Sequence, residues 1–190
     1  MSLDDIEFVV FGRPAQKGSK RAFVTKGGRA VVVDDNQKKL RNWEASVAAT
    51  ASASMEGRDV TLRAVMMRAN FYFCRPKSHY GTGKNSSNIK DSAPLVHCQK
   101  PDLDKLLRAL SDALTGVVWR DDSQITNMVA ARHWTTQQER VEVKIIPTPG
   151  NGTVEWPEYA TARLFEVIFG KQAVQAITRK DAQQQSNGKK

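Results

Sequence analysis

Cysteine, histidine and long apolar runs are all scarce in this chain of 190 residues. Two cysteines are too few for a disulfide framework. Together with two histidines they could supply four zinc ligands, namely Cys74, His79, His97 and Cys98. His97 and Cys98 are adjacent, however, and lack the gap of roughly two to four residues that zinc-binding loops use. Reduced thiols are therefore favoured over a zinc site. No apolar run approaches the ~20 residues that cross a bilayer, and we expect no membrane partner.

Motifs of several enzyme classes are missing as well. The sequence contains no glycine loop that would cradle a nucleotide phosphate, which leaves a phosphatase or a glycosyltransferase as a minor alternative. With three histidines in the whole chain, nucleophilic Ser-His or Cys-His catalysis lacks support. The first residues include Asp4, Asp5 and Glu7, the opposite of the basic start of a secretory signal, so we expect a cytoplasmic location.

Positive charge, in contrast, is abundant and unevenly spread. The formal net charge is +9. Nine basic residues lie between Arg13 and Arg41, where the only acids are Asp34 and Asp35, and the segment 75–100 has five basic residues against one acid. Because each cation near a phosphate releases a condensed counterion, this distribution predicts a nucleic-acid partner. Charge alone does not distinguish DNA from RNA or from an anionic membrane.

The hydrophobic patterning predicts an α+β fold. Strands are predicted at residues 6–11, 31–33, 59–73, 124–134 and 140–146, with a hairpin or loop in the basic stretch before residue 31. One helix is predicted from about residue 37 to near Gly57, with Asp34, Asp35 and Asn36 as candidate caps. We expect a single small domain at residues 1–150, a mixed β-sheet packed by two main helices, followed by a C-terminal helical extension at 151–190 with a disordered basic tail.

The second helix is predicted within residues 101–125. An apolar stripe recurs there at helical spacing, formed by Leu103, Leu106, Leu107, Leu110 and Leu114. The charged residues of this segment lie off the stripe. Gly116 is expected to end the helix, and a short extended piece at 117–120 then leads to the next turn.

Five aspartates fall within the 21 residues from 102 to 122, namely Asp102, Asp104, Asp112, Asp121 and Asp122. Taken singly, each could cap a helix or shape a turn. Two carboxylates at a helix start and two beyond a short return can also converge, and their repulsion is tolerated when a divalent cation neutralises it. Hard oxygen ligands select Mg²⁺ or Mn²⁺, which suit displacement at a phosphodiester. The combination predicts a metal-dependent nuclease.

Three motifs resemble one known family in both order and spacing. DLD at 102–104, DAL at 112–114 and WRDDSQ at 119–124 are similar to the RusA-type Holliday junction resolvases of bacteria and their phages. The likeness extends more loosely over 6–147, where PAQKGSKRAF resembles the family's basic N-terminal motif, and it does not cover 151–190. The resemblance implies a homodimer in a bacterial or phage-infected cell. It would resolve four-way junctions by paired symmetric nicks during recombination and repair.

The resemblance also implies the site. Catalysis and metal binding are assigned to Asp102, Asp104 and Asp122, with Mg²⁺ as the cofactor and Mn²⁺ as a substitute. The family's lysine, four residues after the second aspartate of DLD, is Arg108 here, which keeps the charge but does not easily shuttle a proton. Lys105 could share that role.

Further residues are expected around this site. Asp121 and Asp112 would support it, Asp112 by pairing with Arg108. DNA would be held by basic residues, namely Lys17, Lys20, Arg21 and Lys100. The rival hypothesis is a non-catalytic protein that binds branched DNA, which would need the basic patches without the acidic cluster.

Overall fold

The computed structural model describes residues 5–18, 20–34 and 37–148. The predicted extension at 151–190 and two of the predicted helix caps, Asp35 and Asn36, lie outside the described residues. The elements in chain order are β1 (Ile6–Phe11), β2 (Lys20–Val24), β3 (Ala30–Asp34), α1 (Gln37–Ser54), β4 (Val65–Cys74), α2 (Leu103–Leu114), β5 (Ile125–Thr135) and β6 (Arg140–Pro147).

Four of the strands form one mixed sheet in the order β1-β6-β4-β5. β6 is antiparallel to both β1 and β4, whereas β4 and β5 run parallel. The alternation in β1 sets its register, because Ile6, Phe8 and Val10 are buried while the residues between them are exposed. Ile6 lies opposite Ile145 of β6, so that both point into the core.

Both helices contribute buried residues to the same core as the sheet. In α1 the buried residues are spaced three and four apart, at Leu40, Trp43, Val47 and Ala51. In α2 the predicted leucine stripe is confirmed: Leu106, Leu110 and Leu114 are fully buried, and Leu103 and Leu107 pack against the core from its margin. The α+β fold with two main helices, predicted from the sequence, is therefore confirmed over the described residues.

The basic stretch after β1 contains a hairpin, one of the two predicted alternatives. β2 pairs with β3 in a separate two-stranded sheet, and the predicted strand at 31–33 lies within β3. Asp34 ends β3 and pairs with Lys20 in the ladder.

Two predicted extended segments are wrong in part. The strand predicted from residue 59 begins at Val65, because β5, its parallel neighbour, begins at Ile125 opposite Val65. Residues before Val65 instead contact the turn after α2, where the Thr61 amide donates to the Val118 carbonyl at 2.9 Å. The piece predicted as extended at 117–120 is a turn that buries Val118 and Trp119.

That turn begins at Gly116, which ends α2 as predicted. Its φ of +78° favours glycine, and its amide donates to the Trp119 carbonyl at 2.7 Å. The Trp119 indole N–H donates to the Thr115 hydroxyl at 3.2 Å. The chain therefore reverses within a few residues and brings the second pair of aspartates back beside α2.

None of the helices in the described part of the chain is both long enough and apolar enough to cross a membrane.

Truncating Leu110 to alanine should lower the free energy of unfolding by about 2–5 kcal/mol, because the side chain is fully buried in α2 and its loss leaves a cavity. Leu95, which is 91% exposed, supplies the matched control, and Leu95→Ala should change stability by less than about 0.5 kcal/mol. Urea unfolding measures both. Equal effects of the two substitutions would contradict the assignment of Leu110 to the core.

Candidate active site

One face of α2 and the start of β5 enclose a cavity of about 350 Å³, which we call the aspartate cavity. Five α2 side chains line it: Asp104 and the residues three, four, seven and eight positions after it, a spacing that places all five on one face of the helix. These are Asp104, Leu107, Arg108, Ser111 and Asp112. Across from them lie Asp122, Ile125 and Met128. The structure therefore brings together Asp104 and Asp122 from the two predicted pairs, and Arg108 lies beside them.

Asp121 has a structural part in this arrangement. Its carboxylate accepts a hydrogen bond from the Ser123 amide at 2.9 Å, and its own amide donates to the Gln124 side chain at 2.9 Å. This reciprocal pair is a capping box on the short 3-10 turn Asp122–Gln124. The Ser123 hydrogen bonds hold the pKa of Asp121 below its usual range.

Gln124 also fastens this turn to the rest of the domain. Its side-chain amide donates to the carbonyls of Thr61 at 2.9 Å and Arg63 at 2.8 Å. The turn is thus held at both ends, and Asp122 within it lines the aspartate cavity.

Asp102 precedes α2 but does not cap it through its side chain, since that carboxylate makes no capping hydrogen bond. It instead pairs with the Lys105 ammonium at 2.8 Å. The hydrogen bond from Lys105 is the main cause that lowers the pKa of Asp102, and the charges of Lys105, Lys100 and Arg132 add to it. The same hydrogen bond raises the pKa of Lys105.

Residues 13–17, which we call the strip, run from the end of β1 across the start of α2. The Gln16 side chain accepts a hydrogen bond from the Asp102 amide, and the Lys17 amide donates to the Lys105 carbonyl at 3.3 Å. The Lys17 ammonium pairs with Asp112. The predicted pairing of Asp112 with Arg108 is therefore replaced by one with Lys17, because the strip carries that lysine to the helix.

The four residues predicted to hold DNA have different surroundings. Lys17 is bound to Asp112 at the edge of the aspartate cavity. Lys20 and Arg21 lie in β2, and their side chains lie outside what the structure describes. Lys100 is exposed and lines a second cavity, to which the strip also contributes.

Zinc ligation by the cysteines and histidines has no support within residues 5–18, 20–34 and 37–148. Both cysteines are exposed, whereas His79 and His97 are buried against the Trp134 ring. No three Asp, Glu, His or Cys side chains in those ranges lie close enough together to hold one metal ion. Asp102, Asp104 and Asp122 thus do not form a ready cluster.

A magnesium ion does not need such a cluster. Mg²⁺ keeps several waters and is commonly held by one or two carboxylates together with substrate phosphates. Asp104 and Asp122 share the aspartate cavity, and both are exposed to solvent within it. The buried Ser111 hydroxyl on the same wall has no hydrogen-bond partner in the described protein, so the cavity retains a polar atom that a water or ligand can satisfy. The residues present therefore fit a hydrated magnesium ion.

The sequence analysis missed three residues of this site. Ser111 follows Asp104 by seven positions, so helical spacing alone could have placed it on the same face. Gln124 follows Asp121 by three positions, which is the capping-box spacing. Gln16 carries no local signal, because only the tertiary fold brings it to Asp102.

The family model of endodeoxyribonuclease RusA matches residues 12–146, which include both walls of the aspartate cavity. The chain belongs to the RusA endodeoxyribonuclease family. The uncharacterized protein YqaN of Bacillus subtilis (strain 168) is 28% identical over 143 residues, which cover 75% of this chain and 96% of YqaN. The resemblance seen in the three sequence motifs is confirmed, and with it the assignment of the chain to a nuclease family whose substrate is DNA.

Replacing Lys105 with methionine should raise the pKa of the Asp102 carboxyl toward its ordinary value, because the hydrogen bond that stabilises the charged form is lost. The pair stabilises the fold at neutral pH, and that contribution is lost as the pH falls through the lowered pKa of the folded state. A carbon-detected NMR titration of Asp102 measures the shift.

The control for this titration is Lys100→Met, which removes one positive charge near Asp102 without touching the hydrogen bond. Its effect on the Asp102 pKa should be the smaller of the two. Should both substitutions move the pKa equally, the Lys105 ion pair does not exist in solution.

Proposed function

We propose that this RusA-family chain is a Mg²⁺-dependent endonuclease that resolves four-way DNA junctions by paired, symmetric nicks. The observation that supports this most is the shared cavity, in which Asp104 from α2 and Asp122 from the following turn lie beside Arg108. An acidic pocket of this kind in a chain of net charge +9 separates two tasks. The cations attract the DNA backbone, and the carboxylates attract a divalent ion.

Asp104 and Asp122 would hold the magnesium ion, and Asp102 would join them once its carboxylate leaves Lys105. When bound, Mg²⁺ supplies an oriented water and neutralises charge at the scissile phosphate; Mn²⁺ is the expected substitute. The ion pair of Asp102 is exposed and therefore weak enough for a divalent ion to displace Lys105.

Arg108 would contact the scissile phosphate directly. Its guanidinium can donate two parallel hydrogen bonds to phosphate oxygens, and it keeps its charge at any physiological pH. Its role would therefore be to stabilise developing negative charge, with no proton transfer. The capping box of Asp121 and Gln124 keeps Asp122 in the cavity while the phosphate is bound.

A second copy of the chain would complete the assembly. A four-way junction has two-fold symmetry, and paired symmetric nicks require two active sites related by the same symmetry. A homodimer with one aspartate cavity in each subunit satisfies this requirement.

Nicking should depend on both the divalent ion and the branch. The protein is incubated with an end-labelled four-way junction and with a plain duplex of the same sequence, each with Mg²⁺ or with EDTA. We expect two symmetric cuts in the junction with Mg²⁺, and intact strands in the other three reactions. Junction binding without any cutting in Mg²⁺ or Mn²⁺ would instead support the rival hypothesis of a non-catalytic binding protein.

Asp104→Asn should reduce junction nicking by roughly two to three orders of magnitude, because the ion loses a charged ligand. Junction binding in EDTA should stay unchanged or tighten, since one negative charge facing the phosphate is gone. Asp91→Asn makes the same chemical change at an exposed position away from the cavity and should leave nicking unaltered. Nicking by Asp104→Asn at the wild-type rate would remove this residue from the mechanism.

A further inference from the structure

The strip also lines a second cavity, separate from the aspartate cavity. Its volume is about 650 Å³, within the range of roughly 300–1,000 Å³ typical of sites for small organic ligands. Three segments form its walls: the end of β1 with the strip, one face of α1, and Lys100 with Pro101 just before α2. None of these segments contributes to the aspartate cavity, so the two cavities have separate linings.

The charges of this second cavity, which we call the basic cavity, are of one sign. Arg13, Lys39 and Lys100 line it, and none of its described lining residues is acidic. Arg13 also pairs with the Glu139 carboxylate at 3.5 Å, which offsets part of its charge, so Lys39 and Lys100 carry most of the positive charge available to a ligand. Such a lining favours an anionic ligand over an uncharged apolar peptide. The three cations come from three different segments of the chain: the strip, α1 and the residues just before α2.

Its remaining surface suits a flat ring. Phe11, at the end of β1, is 60% exposed and lines the cavity, and the mostly buried Trp43 lines it from α1. Asn42 and Ser46 lie next to Trp43 on that helix face and offer polar groups. Proteins commonly bind unpaired nucleotides through an exposed aromatic ring surrounded by cations: the base stacks on the ring, and the phosphate pairs with a cation.

The start of α2 places this cavity near the aspartate cavity. Pro101 lines the basic cavity and Asp104 lines the aspartate cavity, and the two are three residues apart, which spans at most about 11 Å. At ~3.4 Å of rise per nucleotide, one DNA strand covers that distance in about three nucleotides. A strand cut in one cavity can therefore extend into the other.

We infer that the basic cavity binds one unpaired nucleotide of the DNA substrate, close to the cut. The base stacks on Phe11, and its phosphate is held by Lys39 together with Arg13 and Lys100. This inference rests on the proposed function for the identity of the DNA. It adds a reason for preferring branched DNA, since a branch point can yield an unstacked nucleotide at lower cost in free energy than a continuous duplex.

Binding in EDTA tests the inference without any cutting. Three fluorescein-labelled four-way junctions serve as probes: one fully paired, one with a single unpaired thymidine at the branch point, and one with an abasic nucleotide in that position. Fluorescence anisotropy measures their affinities. The wild-type protein should bind the thymidine junction about tenfold more tightly than the paired one. The abasic junction should show little of this gain, because it lacks the base.

Substitution of Phe11 should remove the same gain. Phe11→Ala should bind the thymidine and paired junctions about equally, whereas Phe11→Trp should keep the preference because it keeps a stacking ring. Since most of the Phe11 side chain is exposed, its truncation removes little buried surface. Thermal unfolding of each variant verifies that the fold is intact.

Two neighbouring lysines of α1 supply a matched pair that does not depend on the folding of the Phe11 variants. Lys38 and Lys39 are both exposed, and Lys39 alone of the two lines the cavity. Lys38→Glu and Lys39→Glu should weaken binding to the paired junction alike. Lys39→Glu should also abolish the tenfold preference for the unpaired thymidine, and Lys38→Glu should retain it.

The inference is overturned if the wild type shows no preference, if the abasic junction gains as much as the thymidine junction, or if the preference survives in Phe11→Ala and in Lys39→Glu. These results differ from failure of the nuclease proposal. A protein that nicks junctions in Mg²⁺ but shows no preference contradicts only the nucleotide cavity. A protein with the preference and no nicking contradicts only the nuclease. Asp104→Asn should keep the preference in either case.

Discussion

The burial of the α2 leucines is the interaction on which the rest of the site depends. Leu106, Leu110 and Leu114 are fully buried, and each contributes roughly 1.5–3 kcal/mol, so a rotation of the helix that exposed all three would cost several kcal/mol. The ion pair of Lys105 with Asp102 lies at the surface and contributes far less than this burial, because water screens it. Packing therefore fixes the rotation of α2, and Asp104 faces β5 as a consequence.

The ion pairs at the site have a different role: they neutralise the aspartate carboxylates while leaving them accessible to solvent and ligands. Asp112 is paired with Lys17 and Asp102 with Lys105, and all four side chains are partly exposed. Because exposed pairs are weak, a phosphate or a divalent ion can replace either partner at small cost in free energy. Buried pairs would resist such exchange, since separating them leaves an uncompensated charge. Weak pairing at the surface thus suits a site whose ligands are themselves ions.

Local patterns predicted most of the fold and about half of the site. The leucine spacing in α2 and the alternation in β1 are local, and both strands and helices followed from them. The segment 117–120 was predicted as extended, because its apolar residues, buried Val118 and Trp119 among them, fit a strand as well as a buried turn. The partner of Asp112 could not be predicted, since Lys17 lies 95 positions earlier and only the tertiary fold joins them. The basic cavity is hidden for the same reason: its walls come from three distant segments.

The strip connects these features, because four of its residues line the basic cavity and the fifth, Lys17, pairs with a residue on the wall of the aspartate cavity. Gln16 lines the basic cavity and accepts the hydrogen bond of the Asp102 amide, while the next residue, Lys17, binds Asp112 on the wall of the aspartate cavity. The main chain therefore joins the lining of the basic cavity directly to the partner of an aspartate on the wall of the other cavity. Two hydrogen bonds and one ion pair thus fasten this short segment to α2 and to the residue before it, so that the lining of the basic cavity and the acidic residues share one local framework.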